Sequence, residues 1–314
     1  MRTLVVGAGA IGGYFGGRLL EANRDVTFLV RPPRAEELSN SGLRIRSRFG
    51  DAFFPKPATV LADTLRDKFD LVLLSCKAYD LESAIASFAP AVGPDTAILP
   101  LLNGMRHLDI LDQRFGRDRV LGGQCLIAVS VSPEREIAHL NDTHELSFGE
   151  RDGSLSERVR AIAKSVEGAR FNARTSTEIL LEMWEKWVFL ASAAASNCLM
   201  RATVGDINAS LGGTELVLGL IEECRSIAAS EDYTVRETSL QRTRKMLTEK
   251  GSTLTASMLR DIERNASIEA DHIIGDLLRR WRGSGASMSR LAIAYTHLKA
   301  YEARRNRTLF PANA

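Results

Sequence analysis

Two sets of residues in this sequence are spaced for chemistry. The first is a run of glycines, Gly7-x-Gly9-x-x-Gly12, inside LVVGAGAIGGYFGGRLL. At that spacing Gly7 permits a tight turn, Gly9 lets backbone approach a phosphate without a Cβ, and Gly12 lets a helix close on a strand. Free backbone N–H groups at the start of such a helix face an anion, and a dinucleotide pyrophosphate suits them. The candidate cofactor contacts are therefore Gly7, Ala8, Gly9, Ala10, Ile11 and Gly12. The second set is made of polar residues in apolar surroundings: Lys77, Asn103, Lys186 and Glu269.

The glycines need a strand before them and a helix after them, and the sequence supplies both. Thr3 to Val6 reads as a buried strand and Ile11 to Ala22 as a helix. Asp25 to Val30 follows at the distance expected for the second strand of a βαβ unit. An NAD-binding chain usually carries an acid at the end of that strand, for the ribose 2′-hydroxyl. Here the position holds Arg31, with Arg34 close behind. A guanidinium there holds a 2′-phosphate through charge-assisted hydrogen bonds, so the expected dinucleotide is NADP(H).

Further along, Phe69 to Cys76 and Asp95 to Leu102 are nearly continuous apolar runs, as in parallel strands covered on both faces. Ligands in open α/β sheets bind beyond the carboxyl ends of the strands. Lys77 and Asn103 stand at two such ends. A third run, Val120 to Val131, ends the apolar strands, and Glu145 to Phe148 reads as a late antiparallel strand.

From about Thr175 the pattern becomes helical: Glu178–Leu199, Gly213–Asp232, Arg236–Thr248, Thr255–Arg282 and Ser287–Arg305, with Gly283-Ser284-Gly285 as a loop. The expected organisation is an α/β Rossmann-type domain over residues 1–174 and an all-α domain over 175–314. In the first long helix Ile179, Lys186, Leu190, Ala193 and Asn197 share one face. A lysine there either lines a cleft, where desolvation makes it a readier proton donor, or covers apolar surface with its stem. Ile262, Ala266, Glu269 and Ile273 form a similar stripe, in which a carboxylate needs a partner or a pocket.

Composition narrows the function classes. The chain has 314 residues, 25% charged, with a formal net charge of +2, too little to argue for nucleic acid or an anionic membrane. Cys76, Cys125, Cys198 and Cys224 are widely spaced in apolar stretches and read as reduced core thiols, with no metal-like grouping. The charge-free apolar stretch from Trp187 to Met200 is shorter than the roughly 20 residues that span a bilayer. The apolar segment before the first glycine is too short for the core of a signal peptide, and a cytoplasmic protein is the expectation.

Taken in order, GxGxxG, Arg31, Lys77-Ala78-Tyr79, Asn103-Gly104-Met105, Trp184-Glu185-Lys186, Ser257-Met258 and Glu269 resemble the ketopantoate (2-dehydropantoate) reductase family over essentially the whole chain. The resemblance implies a Rossmann domain followed by a helical domain like that of 6-phosphogluconate dehydrogenase, with the site in the cleft between them. It implies reduction of ketopantoate to pantoate, for coenzyme A synthesis, by NADPH. Lys186 would be the proton donor. Asn103, Ser257 and Glu269 would bind substrate, while Asn103, Lys77, Ala128 and Glu269 would meet the cofactor. Family members that reduce ketopantoate usually carry asparagines where this chain has Leu190, Ala194 and Val204, so a different, more apolar 2-oxo acid is the alternative. Asn197 lies eleven residues beyond the lysine, about 16 Å along a helix, and does not replace them. A non-catalytic NADP-binding regulatory module is the reading from another class. The apolar helix surface suggests a homodimer.

Overall fold

The computed structural model describes residues 1–282 and 289–309. The chain forms two compact units, one from Met1–Leu102 and His107–Leu180, the other from Asn103–Arg106 and Leu181 onward.

The first unit is built on two sheets. Its elements are β1 (Arg2–Val6), α1 (Ala10–Glu21), β2 (Asp25–Leu29), α2 (Pro32–Ser41), β3 (Leu43–Arg46), β4 (Ala52–Phe54), β5 (Thr59–Val60), β6 (Leu71–Leu74), α3 (Leu81–Phe88), β7 (Ala97–Pro100), α4 (Arg106–Phe115), β8 (Gly122–Val131), β9 (Ile137–Gly149), α5 (Glu157–Val166) and β10 (Asn172–Thr175). The order β5-β2-β1-β6-β7 makes a parallel sheet. β6 and β7 are buried along their whole length, as their continuous apolar sequence requires.

The second sheet was only partly legible. β8 and β9 form a long antiparallel pair, and the far edge of β9 carries β3 at one end and β10 at the other. Val120 makes one parallel bridge to Ile98 before the chain leaves the first sheet. The Val120–Val131 run therefore belongs mainly to the second sheet, and the strand expected at Glu145–Phe148 begins at Ile137.

α1 lies against both sheets, and its glycines make that possible. An added Cβ at Gly16 would sit 2.6 Å from the Phe28 ring, on the side of the parallel sheet. At Gly13 and Gly17 it would sit 2.3 Å from Ile137 Cδ1 and 2.6 Å from Ile45 Cδ1, in the second sheet. Tyr14, Phe15 and Leu19 fill the core among Val5, Phe28, Leu43 and Phe148. Glycines weaken a helix by roughly 0.5–1 kcal/mol each; packing on two faces offsets that cost.

The second unit is helical: α6 (Ile179–Met200, whose first residues belong to the first unit), α7 (Val204–Ala209), α8 (Gly213–Ser230), α9 (Glu237–Leu247), α10 (Ser257–Glu263), a π-helical turn at Asp271–Gly275, α11 (Asp276–Arg280) and α12 (Arg290–Leu309). The helix expected over Thr255–Arg282 is broken. Asn265 takes a left-handed conformation at φ 53°, which asparagine tolerates better than most residues. α12 holds the break, with Tyr301 Oη donating to the Ala266 carbonyl at 2.8 Å and Arg305 Nε to that of Asn265 at 2.9 Å. Ile262, Ala266, Glu269 and Ile273 are thus not one helical stripe. Gly283-Ser284-Gly285 and Ser287 lie outside the described residues. Cys125, Cys198 and Cys224 are buried, the last two pushed up to about 12 by desolvation, whereas Cys76 is only half-buried just beyond β6.

Candidate active site

Strand register sets the first half of the site. Val6 aligns with Leu29 and Leu74, and Leu74 with Pro100, so four strands end on one line. Three residues past that line stand Gly9, Lys77 and Asn103, and Arg31 comes two past Leu29.

The turn after β1 is held on both flanks. Gly7 sits at φ +92°, a conformation costly for any residue with a Cβ. Ser75 Oγ donates to the Val6 carbonyl at 2.9 Å and to that of Gly7 at 3.3 Å. Arg34 donates through Nε and Nη2 to the Ala8 carbonyl at 3.1 and 2.9 Å. Its remaining reach goes to Glu37, so Arg34 braces the loop. Gly9 is exposed, and an added Cβ there would meet nothing within 4 Å. α1 begins at once with no acidic residue in its first turn, leaving its orphan N–H groups to an anion. A dinucleotide pyrophosphate fits this cradle, with Gly7 to Gly12 as the residues that would hold it.

Gly12 is the tightest point. A Cβ there would lie 2.1 Å from the Gly7 carbonyl oxygen and 2.2 Å from Ser75 Oγ. Backbone does not yield as a flexible side chain does, so Gly12→Ala must lift α1 off the turn. We expect a loss of about 1–3 kcal/mol and a large loss of dinucleotide affinity, read by thermal unfolding with and without cofactor. An unchanged shift on adding cofactor would contradict this.

Lys77 is exposed and precedes a short 3₁₀ turn over Ala78–Asp80. Arg31 is exposed, and its Nη2 donates to Asp80 Oδ1 at 2.6 Å, which raises its pKa further. Ala128 lies at an irregularity in the β8–β9 ladder, where its N–H donates to Asn141 Oδ1 at 2.9 Å.

The second unit contains the lysine. Lys186 is half-buried in the middle of α6, between two anchored neighbours. Glu185 accepts three hydrogen bonds from Arg236: Nε at 2.8 Å, Nη2 at 2.6 Å and the backbone N–H at 3.0 Å. Trp187 is fully buried, and its Nε1 donates to the Ile273 carbonyl at 2.9 Å. α6 is thereby fixed on both sides of the lysine, and Trp187 ties it to the turn that follows Glu269.

His272 joins Glu269 to Asn103. Its backbone N–H donates to the Glu269 carbonyl at 3.2 Å, and a Cβ on Gly104 would lie 3.2 Å from its ring. Burial holds the imidazole below its usual pKa, although Glu269, Asp276 and a hydrogen bond with the Asn103 backbone favour the charged form. These contacts place residues 103–106 in the helical unit. Ser257 is exposed at the start of α10. Asn197, wholly buried, accepts from the Ala256 N–H at 2.9 Å and donates to the Ala202 carbonyl at 2.8 Å. Its amide is a brace for the segment before Ser257, which the sequence could not reveal. Of the three positions lacking asparagine, Leu190 is half-buried while Ala194 and Val204 are buried. His272, Trp187 and the Glu185–Arg236 pair also escaped sequence reading. Among the described residues no group of three His, Cys, Asp or Glu is placed to hold a metal, and no helix is long and apolar enough to cross a membrane.

A glycine cradle at the carboxyl edge of a parallel sheet, followed in the chain by a helical unit, is the build of a dinucleotide-dependent oxidoreductase. The chain belongs to the ketopantoate reductase family: the model described as ketopantoate reductase PanE/ApbA matches residues 3–153, and that for its C-terminal part matches 178–302. Members are oxidoreductases that act on CH–OH groups and depend on NAD(P). The chain is 34% identical over 303 residues to an uncharacterized oxidoreductase of Bacillus subtilis, YkpB, covering 96% of this chain and 99% of that one. It is 29% identical to the 2-dehydropantoate 2-reductase of Mesorhizobium japonicum over 87% of this chain and 89% of the relative. The crystal structure of 2-dehydropantoate 2-reductase from Methylococcus capsulatus superposes with a TM-score of 0.85 at 27% identity, covering 99% and 100% of the two chains.

Proposed function

We propose that this protein is an NADPH-dependent 2-oxo acid reductase, with ketopantoate and its reduction to pantoate as the first reading of the substrate. The observation that carries the reading is Lys186, held half-buried in α6 by its anchored neighbours Glu185 and Trp187. The residues that would hold the dinucleotide are Gly7 to Gly12, with Arg31 toward a 2′-phosphate, and Lys77, Asn103, Ala128 and Glu269 as further contacts. When bound, the dihydronicotinamide supplies the hydride that the keto carbon gains.

The residues of the chain do the rest. Lys186 Nζ gives a proton to the carbonyl oxygen as the carbon is reduced, so the product leaves as a 2-hydroxy acid. Water returns a proton to the amine. Asn103, Ser257 and Glu269 orient the substrate, and the backbone of Asn103 and that of Glu269 are held in common by His272.

One specific observation favours a second substrate reading. One and two turns beyond Lys186 stand Leu190 and Ala194, which offer a substrate hydroxyl no hydrogen bond. A site built to bind a hydroxyl discriminates strongly by such bonds. Their loss favours a 2-oxo acid with a more apolar side chain. Steady-state NADPH oxidation with ketopantoate beside apolar 2-oxo acids decides between them. Ketopantoate turning over best supports the first reading; an apolar acid exceeding it tenfold in kcat/KM supports the second. Turnover of none would remove both.

A further inference from the structure

The pairing of Arg31 bears on cofactor choice, and it rests on the reading that Arg31 meets the 2′-phosphate of NADPH. The sequence places no acid at the end of β2, yet the fold brings one there. Asp80 stands at the N-cap of α3, where an aspartate usually accepts from the first turn of its own helix. Its carboxylate makes no such cap bond. It instead accepts from Arg31 Nη2 at 2.6 Å, while Ser83 Oγ lies 3.5 Å from the same nitrogen and donates to the Asp80 carbonyl at 2.9 Å. The other nearby guanidinium is committed, since Arg34 holds the Ala8 carbonyl and Glu37, and Glu37 also takes Arg135 Nε at 2.8 Å.

We infer that Asp80 is a specificity-determining residue that restrains the preference for NADPH over NADH. A 2′-phosphate arriving at Arg31 must share or displace the carboxylate already there, and its own negative charge is repelled by it. A ribose 2′-hydroxyl meets no such repulsion, because a carboxylate accepts its hydrogen bond. The charge of Arg31 alone therefore overstates the selectivity of the site.

The test is the ratio of kcat/KM for NADPH to that for NADH in the full-length protein. Asp80→Asn keeps size and hydrogen bonding but removes the charge, and is expected to raise the ratio roughly three- to tenfold, mainly through a lower KM for NADPH. The effect should shrink with added salt, as between exposed charges. Arg31→Ala should lower the ratio, and in that background Asp80→Asn should raise it less than in the parent, because only the direct repulsion of the phosphate is then removed. A general disturbance of α3 would weaken both cofactors alike and leave the ratio in place. If Arg31→Ala lowers the ratio while Asp80→Asn leaves it unchanged, the inference is overturned and the 2′-phosphate reading survives. If Arg31→Ala does not move the ratio, that reading falls, and the inference with it.

Discussion

Replacing Lys186 by alanine is expected to lower kcat by about 10²–10⁴-fold, the usual worth of a positioned general acid. The change should fall on kcat more than on the KM for NADPH, because the dinucleotide cradle is built from Gly7 to Gly12 in the other unit. Lys186→Arg should remain impaired, since a guanidinium keeps its positive charge but does not release a proton in this range. Thermal unfolding separates chemistry from stability: a variant that melts with the parent and still loses kcat has lost chemistry rather than fold. A kcat within threefold of the parent for Lys186→Ala would refute the assignment.

The largest effect on stability is expected at the next residue. Trp187 is fully buried, its ring lies 4.8 Å from that of Trp184, and its Nε1 donates to the Ile273 carbonyl at 2.9 Å. Trp187→Ala opens a cavity between α6 and the π-helical turn and should cost about 3–5 kcal/mol. Trp187→Phe keeps most of the packing and loses the indole donor, which should cost about 1–3 kcal/mol by leaving the carbonyl poorly satisfied. Chemical unfolding followed by circular dichroism measures both. A cost below 1 kcal/mol for the alanine variant would show that α6 is positioned by other contacts.

The dinucleotide half of the molecule was legible because its signals are local. Strand, glycine turn and helix are contiguous from Arg2 to Glu21, and the apolar runs at β6 and β7 report burial on both faces directly. Lys77 and Asn103 could be placed at strand ends from the same runs. The second sheet was harder to see, since β3, β4 and β10 are short and half of their residues face solvent. The break after α10 hung on one left-handed asparagine, which periodicity does not register.

The anchoring of the helical unit was not legible for a different reason. Glu185 and Arg236 are 51 residues apart, and Trp187 and Ile273 are 86 apart. Nothing in local spacing announces such pairs. The same holds for Asn197, whose place on the lysine face is visible but whose hydrogen bonds to Ala202 and Ala256 depend on the loop before α7 and the start of α10. Arg31 shows the opposite hazard: its place just after β2 is visible in the sequence, while its partner Asp80 arrives from another strand crossover.

In the proposed function, hydride passes from NADPH to the C2 carbon of a 2-oxo acid while Lys186 protonates the oxygen. The most direct measurement uses NADPH deuterated at both C4 positions, with ketopantoate and an apolar 2-oxo acid in parallel, and mass analysis of the products. The expected product is a 2-hydroxy acid carrying one deuterium at C2, formed by the parent protein and nearly abolished in Lys186→Ala. Consumption of NADPH without deuterium in the product, or no 2-hydroxy acid from either substrate, would contradict it.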